Sequence, residues 1–324
     1  MRVVFFGSPE FAVPTLEALA SDRTFEVVLV VTQGARTASP VERAAAKLGL
    51  PVYQPRTLRD EASRQPLVAG RADVFVVAAF GLIFKQRTLD LPRVGAINIH
   101  PSILPKYRGA SPIMAAIESG DQATGVSLME MDAGIDTGAV VSMERVVVEG
   151  DDTTESLGRR LAGVAAGQST RDIPRWVAGE MRAVPQSRTG ASLTRPLTKL
   201  DGLIDWRRSA VEIERTVRAM WPWPRAWTTV AGSTLQVHQA LVFAGEQSEL
   251  QPGELLPLRR RIVVACGEGA LELLTVEPAG RRAMPVNAYL NGLRVPLQRC
   301  GDSVNLPDRP PLIVPLPIAV EGKG

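Results

Sequence analysis

INIHPSILPKYRGASPI, residues 97–113, is the stretch from which the rest of the chain can be read. Ile97 and Ile99 alternate with Asn98 and His100. Successive side chains of a strand face opposite sides, so Asn98 and His100 share a face. Pro101 stops the strand, because proline has no N–H to give to a ladder. A Lys-Tyr-Arg-Gly cluster follows at 106–109, and Ser111-Pro112 opens a helix over SPIMAAIESG. His100 is one of only 2 histidines in 324 residues. A neutral imidazole can take a proton near pH 7. An amide N–H can donate to a developing oxyanion. The pair suits attack on a carbonyl with no covalent intermediate, and it lacks only a carboxylate to orient the ring. A structural, core-packed role is the alternative for His100.

Upstream, MRVVFFG, EVVLVVT and ADVFVVAAF read as buried apolar strands, and PVYQP as a short extended piece. Between them SPEFAVPTLEALAS reads as a helix with Ser8 as N-cap and Pro9 at its first position. SPVERAAAKLGL has the same opening and can end at Gly49. Apolar strands alternating with helices imply an α/β fold, a Rossmann-like doubly wound, mostly parallel sheet. Ligands bind at the carboxyl ends of its strands, which is where Asn98 and His100 fall. Downstream, TGVSLMEMD and DTGAVVSMERVVV precede a helix from Asp151 to about Gly179, capped by Thr153 or Thr154. RAVPQSRTGASLTRPLTKLDGLIDW is polar and studded with Pro and Gly. A helix, SAVEIERTVRAMW, then leads into short strands with Gly or Pro turns, a smaller β-barrel, OB-like, C-terminal domain. The expected division is a catalytic domain over 1–185, a linker over 186–205, a β-rich domain over 206–305 and an extended Pro-rich tail over 306–324.

The chain is 45% hydrophobic, enough for a sizeable core. Its longest apolar runs, Val27–Val31 and Val74–Phe80, are strand-sized, far short of the roughly 18 residues a membrane span needs. Neither a signal nor a transit pattern precedes Val3–Phe6, so the expected place is the cytoplasm. Cys266 and Cys300 fall in no metal spacing, and a metal site is not expected. The net charge is +3. Charges balance over 1–205, so the excess lies in 206–324, where it fits either a phosphate-facing surface or ordinary solvated surface. The opening Gly-Ser-Pro-Glu-Phe lacks a dinucleotide fingerprint.

MDAGIDTG offers two carboxylates for His100, Asp132 and Asp136, and spacing does not choose between them. Either could simply cap a turn. His238, in an alternating strand, reads as structural. Trp221, Trp223 and Trp227 either stack on bases or form an aromatic corner. Arg259–Arg261 and Arg281–Arg282 are candidate phosphate contacts or solvated loops. For Arg108 a local salt bridge ranks first, a turn-stabilising role second and a substrate phosphate third.

HPSILPKYRGASPI, TGVSLMEMDAGIDTG and FFGSPEFAVPTLEAL together resemble the folate-dependent formyltransferases. LTKLDGLIDW, MWPWPRAWTTV and LELLTVEPAGRRAMPVNAYLNG resemble the branch that acts on initiator Met-tRNA. The likeness runs from Met1 to about Arg294. It implies transfer of a formyl group from 10-formyltetrahydrofolate to the α-amino group of methionine on initiator tRNA, without a metal. The family's Asn, His and Asp fall on Asn98, His100 and Asp136. Asn98 would hold the formyl oxygen, and His100 would move the amine's proton or stabilise charge beside it. Asp136 would fix the tautomer of the ring and raise its basicity. Folate contacts would fall on Ser102, Ile103, Leu104 and Pro105, with Ile103 in place of the family's Leu. Phe80 and Gly81 would line the pterin pocket, Phe80 being otherwise plain core. A monomer with folate and initiator Met-tRNA as partners, and no membrane, is expected.

One departure bears on the acceptor. Where family members acting on tRNA carry a long loop rich in Gly, Arg and Lys, this chain has only TQGARTASP, with one cation, Arg36. A related enzyme formylating a small amine, such as an amino sugar nucleotide, is the alternative, and a catalytically inactive tRNA- or folate-binding module a third reading.

Overall fold

The computed structural model describes residues 1–34, 36–245, 250–293, 297, 299–301 and 310–317. The parts of the C-terminal domain and tail at 246–249, 294–296, 298, 302–309 and 318–324 lie outside the described residues.

Seven strands form one sheet: β1 (Arg2–Gly7), β2 (Glu26–Val31), β3 (Val52–Tyr53), β4 (Val74–Ala78), β5 (Gly95–His100), and, numbered past a two-residue β6 (Arg108–Gly109), β7 (Ala123–Glu130) and β8 (Val140–Val147). Their order is β3-β2-β1-β4-β5-β7-β8. The first five run parallel, whereas β7 is antiparallel to both β5 and β8. The hairpin of β7 and β8 is what makes the sheet mostly rather than wholly parallel.

Helices cover both faces. α1 (Val13–Ser21), α5 (Pro112–Glu118) and α6 (Thr154–Val177) lie on the face of Val3, Phe5, Val76, Ile97 and Ile99. The opposite face, with Val4, Phe6, Phe75 and Val77, packs against Leu67 of α3 (Glu61–Ala69) and Leu89 of α4 (Gln86–Leu89). Burial on both faces explains the continuous apolar strands. Ser39 caps α2 (Pro40–Lys47) in a reciprocal box with Glu42, and Thr153 caps α6 in the same way with Ser156. Ser8 does not cap α1, whose first residue is Val13. Its Oγ instead accepts from the Gln33 N–H and the Thr32 hydroxyl, tying the end of β1 to that of β2.

The C-terminal unit packs α7 (Ala210–Ala219) on a curled antiparallel sheet. Its strands are β10 (Ala226–Val230), β11 (Ser233–Val242), β12 (Ile262–Ala265) and β13 (Ala270–Pro278), in the order β10-β11-β13-β12, with β14 (Met284–Pro285) beside β13 and α8 (Val286–Asn291) after it. This open half-barrel fits the expected small barrel-like domain. Arg208 and Thr216, just before and within α7, both donate to Glu118 Oε1 at the end of α5, at 2.8 and 3.0 Å.

The stretch read as a linker carries a strand of its own. β9 (Ser192–Thr194) lies between β6 and β15 (Ile313–Pro315). The described part of the tail is therefore not free: β15 pairs with β9, and Leu312 and Ile313 pack on the catalytic core.

Candidate active site

β5 brings Asn98 and His100 to its carboxyl end on the same face as Ala96, whose side chain packs with Phe75 and Val77. Pro101 and a turn follow, in which the Ser102 N–H donates to the His100 carbonyl. The loop between β7 and β8 supplies the carboxylate. Asn98 Nδ2 donates to Asp136 Oδ1 at 3.0 Å. The Gly109 N–H donates to Asp136 Oδ2 at 2.8 Å. His100 Nδ1 lies 3.5 Å from the same Oδ2. The other ring nitrogen, Nε2, lies 2.9 Å from the Tyr107 carbonyl oxygen. A carbonyl only accepts, so Nε2 carries a proton, and Nδ1 is the nitrogen that can gain or lose one. A proton there sits between the ring and the Asp136 carboxylate. The tautomer is thus set by the Tyr107 backbone, while Asp136 stands at the exchanging nitrogen.

Two side-chain-bearing residues at this point have left-handed backbones, Tyr107 at φ 59° and Asp136 at φ 50°. Such conformations cost on the order of 1–3 kcal/mol and persist where surrounding contacts over-determine them. Around Tyr107 those contacts are the Ser192 hydroxyl, which accepts from its N–H at 2.9 Å, and Asp121, which accepts from its phenol at 2.9 Å. Lys106 Nζ also reaches both Asp121 oxygens, at 2.7 Å each. Burial raises the Tyr107 phenol above its usual range, which keeps it a donor. Around Asp136 the contact is Gln186, whose Nε2 donates to the carbonyls of Asp136 and Gly138 at 2.8 Å each. Gly138 has to be glycine: a Cβ there would collide with the Glu130 carbonyl oxygen.

The structure separates the two aspartates. Asp132 Oδ1 accepts from the Gly134 N–H and the Thr137 hydroxyl, at 3.0 and 2.7 Å, and so closes its own turn. Asp136 alone of the pair reaches Asn98 and His100.

The expected folate contacts split by orientation. Ser102 is buried, and its hydroxyl donates to the Lys106 carbonyl at 2.6 Å. Leu104 is buried against Met129 and Val140. Both side chains hold the turn, which leaves half-buried Ile103 and Pro105 as the accessible members. Phe80 is half-buried and packs edge-on against Phe6 and Phe84 at the margin of the core, and Gly81 is exposed beside it. Ile83 and Ile135, 63% and 64% exposed, are large apolar side chains on the loops after β4 and before Asp136.

Arg108 meets no carboxylate among the described residues. Its Nε and Nη2 donate to Gln186 Oε1 at 3.0 and 2.8 Å, so it braces a loop. His238 is structural. Its ring packs at a tilt against Trp221 and lies 3.1 Å from Glu277 Oε2 without an aligned hydrogen bond. Burial, helped by Arg225, lowers its pKa against the pull of Glu277. The indole Nε1 of Trp221 donates to Glu155 and that of Trp227 to the Lys199 carbonyl, so both rings are tied into the fold, and Trp223 is 56% exposed. Arg261 pairs with Glu272, while Arg259, Arg260, Arg281 and Arg282 are exposed. A cavity of about 840 Å³ lies beside Arg260 and Leu290, and one of about 260 Å³ lies between the domains beside Glu118 and Asp201. Neither includes Asn98, His100 or Asp136, and the convergent polar groups mark the site better than volume does. No group of His, Cys, Asp and Glu that could hold a metal occurs among the described residues.

Residues 1–168 match the family model described as formyl transferase, and residues 196–294 the one described as formyl transferase, C-terminal domain. The chain is 42% identical over 303 residues to methionyl-tRNA formyltransferase of Roseiflexus castenholzii (strain DSM 13941 / HLO8), covering 91% of this chain and 97% of that protein. It is 42% identical over 306 residues to the enzyme of the same name from Neisseria meningitidis serogroup B (strain ATCC BAA-335 / MC58), covering 91% and 98%. Among solved structures, WlaRD, a sugar 3N-formyl transferase, matches with a TM-score of 0.65 at 16% identity over 87% of this chain and 99% of that one. HypX from Aquifex aeolicus in complex with tetrahydrofolic acid matches with 0.58 at 16% identity over 92% and 50%. At those identities the likeness is one of fold.

Proposed function

The chain belongs to the formyl transferase family, and on that premise we propose that it transfers the formyl group of 10-formyltetrahydrofolate to the α-amino group of methionine on initiator Met-tRNA, for translation initiation. The observation that carries the acceptor is the 42% identity over nine-tenths of the chain to proteins of that activity, spanning both domains. The chemistry rests on the cluster at the end of β5.

The folate substrate supplies an activated formyl carbon. The amine forms a C–N bond to it, the bond to the folate nitrogen breaks, and one proton passes from the amine to the leaving nitrogen. Asn98 gives one amide hydrogen to Asp136 and has a second for the formyl oxygen as it gains negative charge. Nδ1 of His100 carries the travelling proton, and the positive ring that results is offset by Asp136 at 3.5 Å. Tyr107 prevents the ring from turning. The site fits a flat heterocyclic donor: exposed Ile83 and Ile135 offer apolar contact at the same end of the sheet, and Gly81 offers bare backbone. Ile103 and Pro105 are the accessible side chains of the folate stretch, and Ser102 and Leu104 hold its turn in shape.

The catalytic domain spans 1–185 and the tRNA-contacting β-rich domain 206–305, with 186–205 between them and the tail over 306–324. The enzyme acts as a monomer in the cytoplasm. No helix among the described residues is long and apolar enough to cross a membrane. With only Arg36 in the short loop, the grip on tRNA falls to exposed cations of the C-terminal domain.

The test offers the protein 10-formyltetrahydrofolate with charged initiator Met-tRNA in one reaction and with an amino sugar nucleotide in another. Formyl-methionine in the first alone is expected. Product only in the second would replace the acceptor while keeping the chemistry.

A further inference from the structure

We infer that Gln186 is a positioning residue for catalysis, acting through the backbone of Asp136. The inference rests on the proposed formyl transfer and on an amide whose hydrogen-bonding capacity is used in full. Nε2 donates to the Asp136 and Gly138 carbonyls, and Oε1 accepts from Nε and Nη2 of Arg108. An amide has two N–H donors and two acceptor lone pairs, and all are engaged here.

The geometry gives this saturation a purpose. Arg108 precedes Gly109, whose N–H holds Asp136 Oδ2. The segment 108–109 therefore grips Asp136 twice, at its carboxylate directly and at its main chain through Gln186. That closes a ring of contacts around a residue with φ 50°, a backbone that relaxes unless held. With the ring closed, Oδ1 points at Asn98 and Oδ2 at His100. Without the amide, two carbonyls of the loop are freed, and Asp136 is held at its carboxylate alone, with its main chain no longer tied. Misplacement of a catalytic group by about 1 Å can cost about a hundredfold in rate. Gln186 touches neither Asn98 nor His100 and lies 50 residues from Asp136 in sequence, within the Pro- and Gly-studded stretch.

Gln186→Glu separates this role from a merely structural one. A carboxylate there accepts the Arg108 fork at least as well as the amide does. It cannot donate to the two carbonyls. If holding Arg108 were the whole role, the variant would be as good as the parent. We expect instead that kcat falls by about tenfold or more, with KM for both substrates within about twofold and the fold unchanged by circular dichroism. Gln186→Ala, which removes both halves of the bridge, is the second variant, and it falls at least as far. A readout independent of activity is available, because the chain has 2 histidines. The ring ¹⁵N resonances of His100 move in Gln186→Glu while those of His238, in the other domain, stay. Parent-level turnover in Gln186→Glu, or unmoved His100 resonances, overturns the inference. Lack of formyl transfer by the parent would overturn the functional reading instead, and the ¹⁵N comparison would still decide the role of Gln186.

Discussion

Around the end of β5 the polar groups converge. Asp136 is within hydrogen-bonding reach of Asn98 and ion-pair reach of His100, and two of the three are held from behind, His100 by the Tyr107 carbonyl and Asp136 by the Gln186 amide. Among the described residues of the C-terminal domain the candidate cations are dispersed: Arg259, Arg260, Arg281 and Arg282 stand exposed, and Arg261 is spent on Glu272. The first arrangement is what bond-making needs, since reacting atoms must be placed within fractions of an ångström. The second suits a long phosphate backbone, where many weak contacts add and none is indispensable. The contrast teaches where losses should be steep and where shallow.

The steepest is expected at the converged site. Asn98→Ala, His100→Ala and Asp136→Asn should each lower kcat by about a hundred- to a thousandfold, the range for removal of a single oxyanion donor. Steady-state formyl transfer with unchanged thermal unfolding checks this. A shallow loss in any of the three would blur the comparison. On the other side, Arg259→Ala combined with Arg260→Ala should raise KM for Met-tRNA by about three- to tenfold, leave kcat alone and reduce the salt dependence of KM. A fall in kcat would mean that those cations do more than hold phosphate.

How much of this was legible in the sequence varies with the kind of group involved. The α/β alternation follows from continuous apolar runs set between helical stretches, the shared face of Asn98 and His100 from the period of two in a strand, and the structure has both. Asp132 and Asp136 were equivalent by spacing because a loop has no period; the resemblance picked Asp136, and the turn geometry separates them. The Tyr107 carbonyl left no trace, since every residue has one. Gln186 was hidden in a stretch that reads as linker, because a bridge to a site 50 residues away has no local signal. α3 was obscured by Pro66 inside it, and α4 by being a single turn of 4 residues. Ser8-Pro9 resembles Ser39-Pro40, yet only the second caps a helix, since the first is drawn to Thr32 and Gln33.

A smaller effect tests the Arg195–Asp201 ion pair in the segment that joins the domains. Asp201 is buried, which works to raise its pKa, but Arg195 and the N–H and hydroxyl of Thr198 more than offset this and hold it at about 2, against 3.8 unperturbed. A depressed carboxylate stabilises fully above its unfolded pKa and loses that contribution as pH falls through the folded one. Asp201→Asn should therefore be less stable than the parent by about 1–2 kcal/mol at pH 6, with the gap closing below about pH 4. Denaturant melts at both pH values measure it, and a gap independent of pH would remove the ion pair from the account. The smallest effect is expected at Asp132. Asp132→Asn keeps an acceptor for Gly134 and Thr137, so turnover should stay within about threefold and stability within about 1 kcal/mol.

The most direct measurement sets the two aspartates side by side: formyl-methionine formed on initiator Met-tRNA from 10-formyltetrahydrofolate by the parent, Asp132→Asn and Asp136→Asn, read by mass spectrometry. The account predicts product from the parent and from Asp132→Asn and almost none from Asp136→Asn. Product from Asp136→Asn at the parent's rate would contradict it.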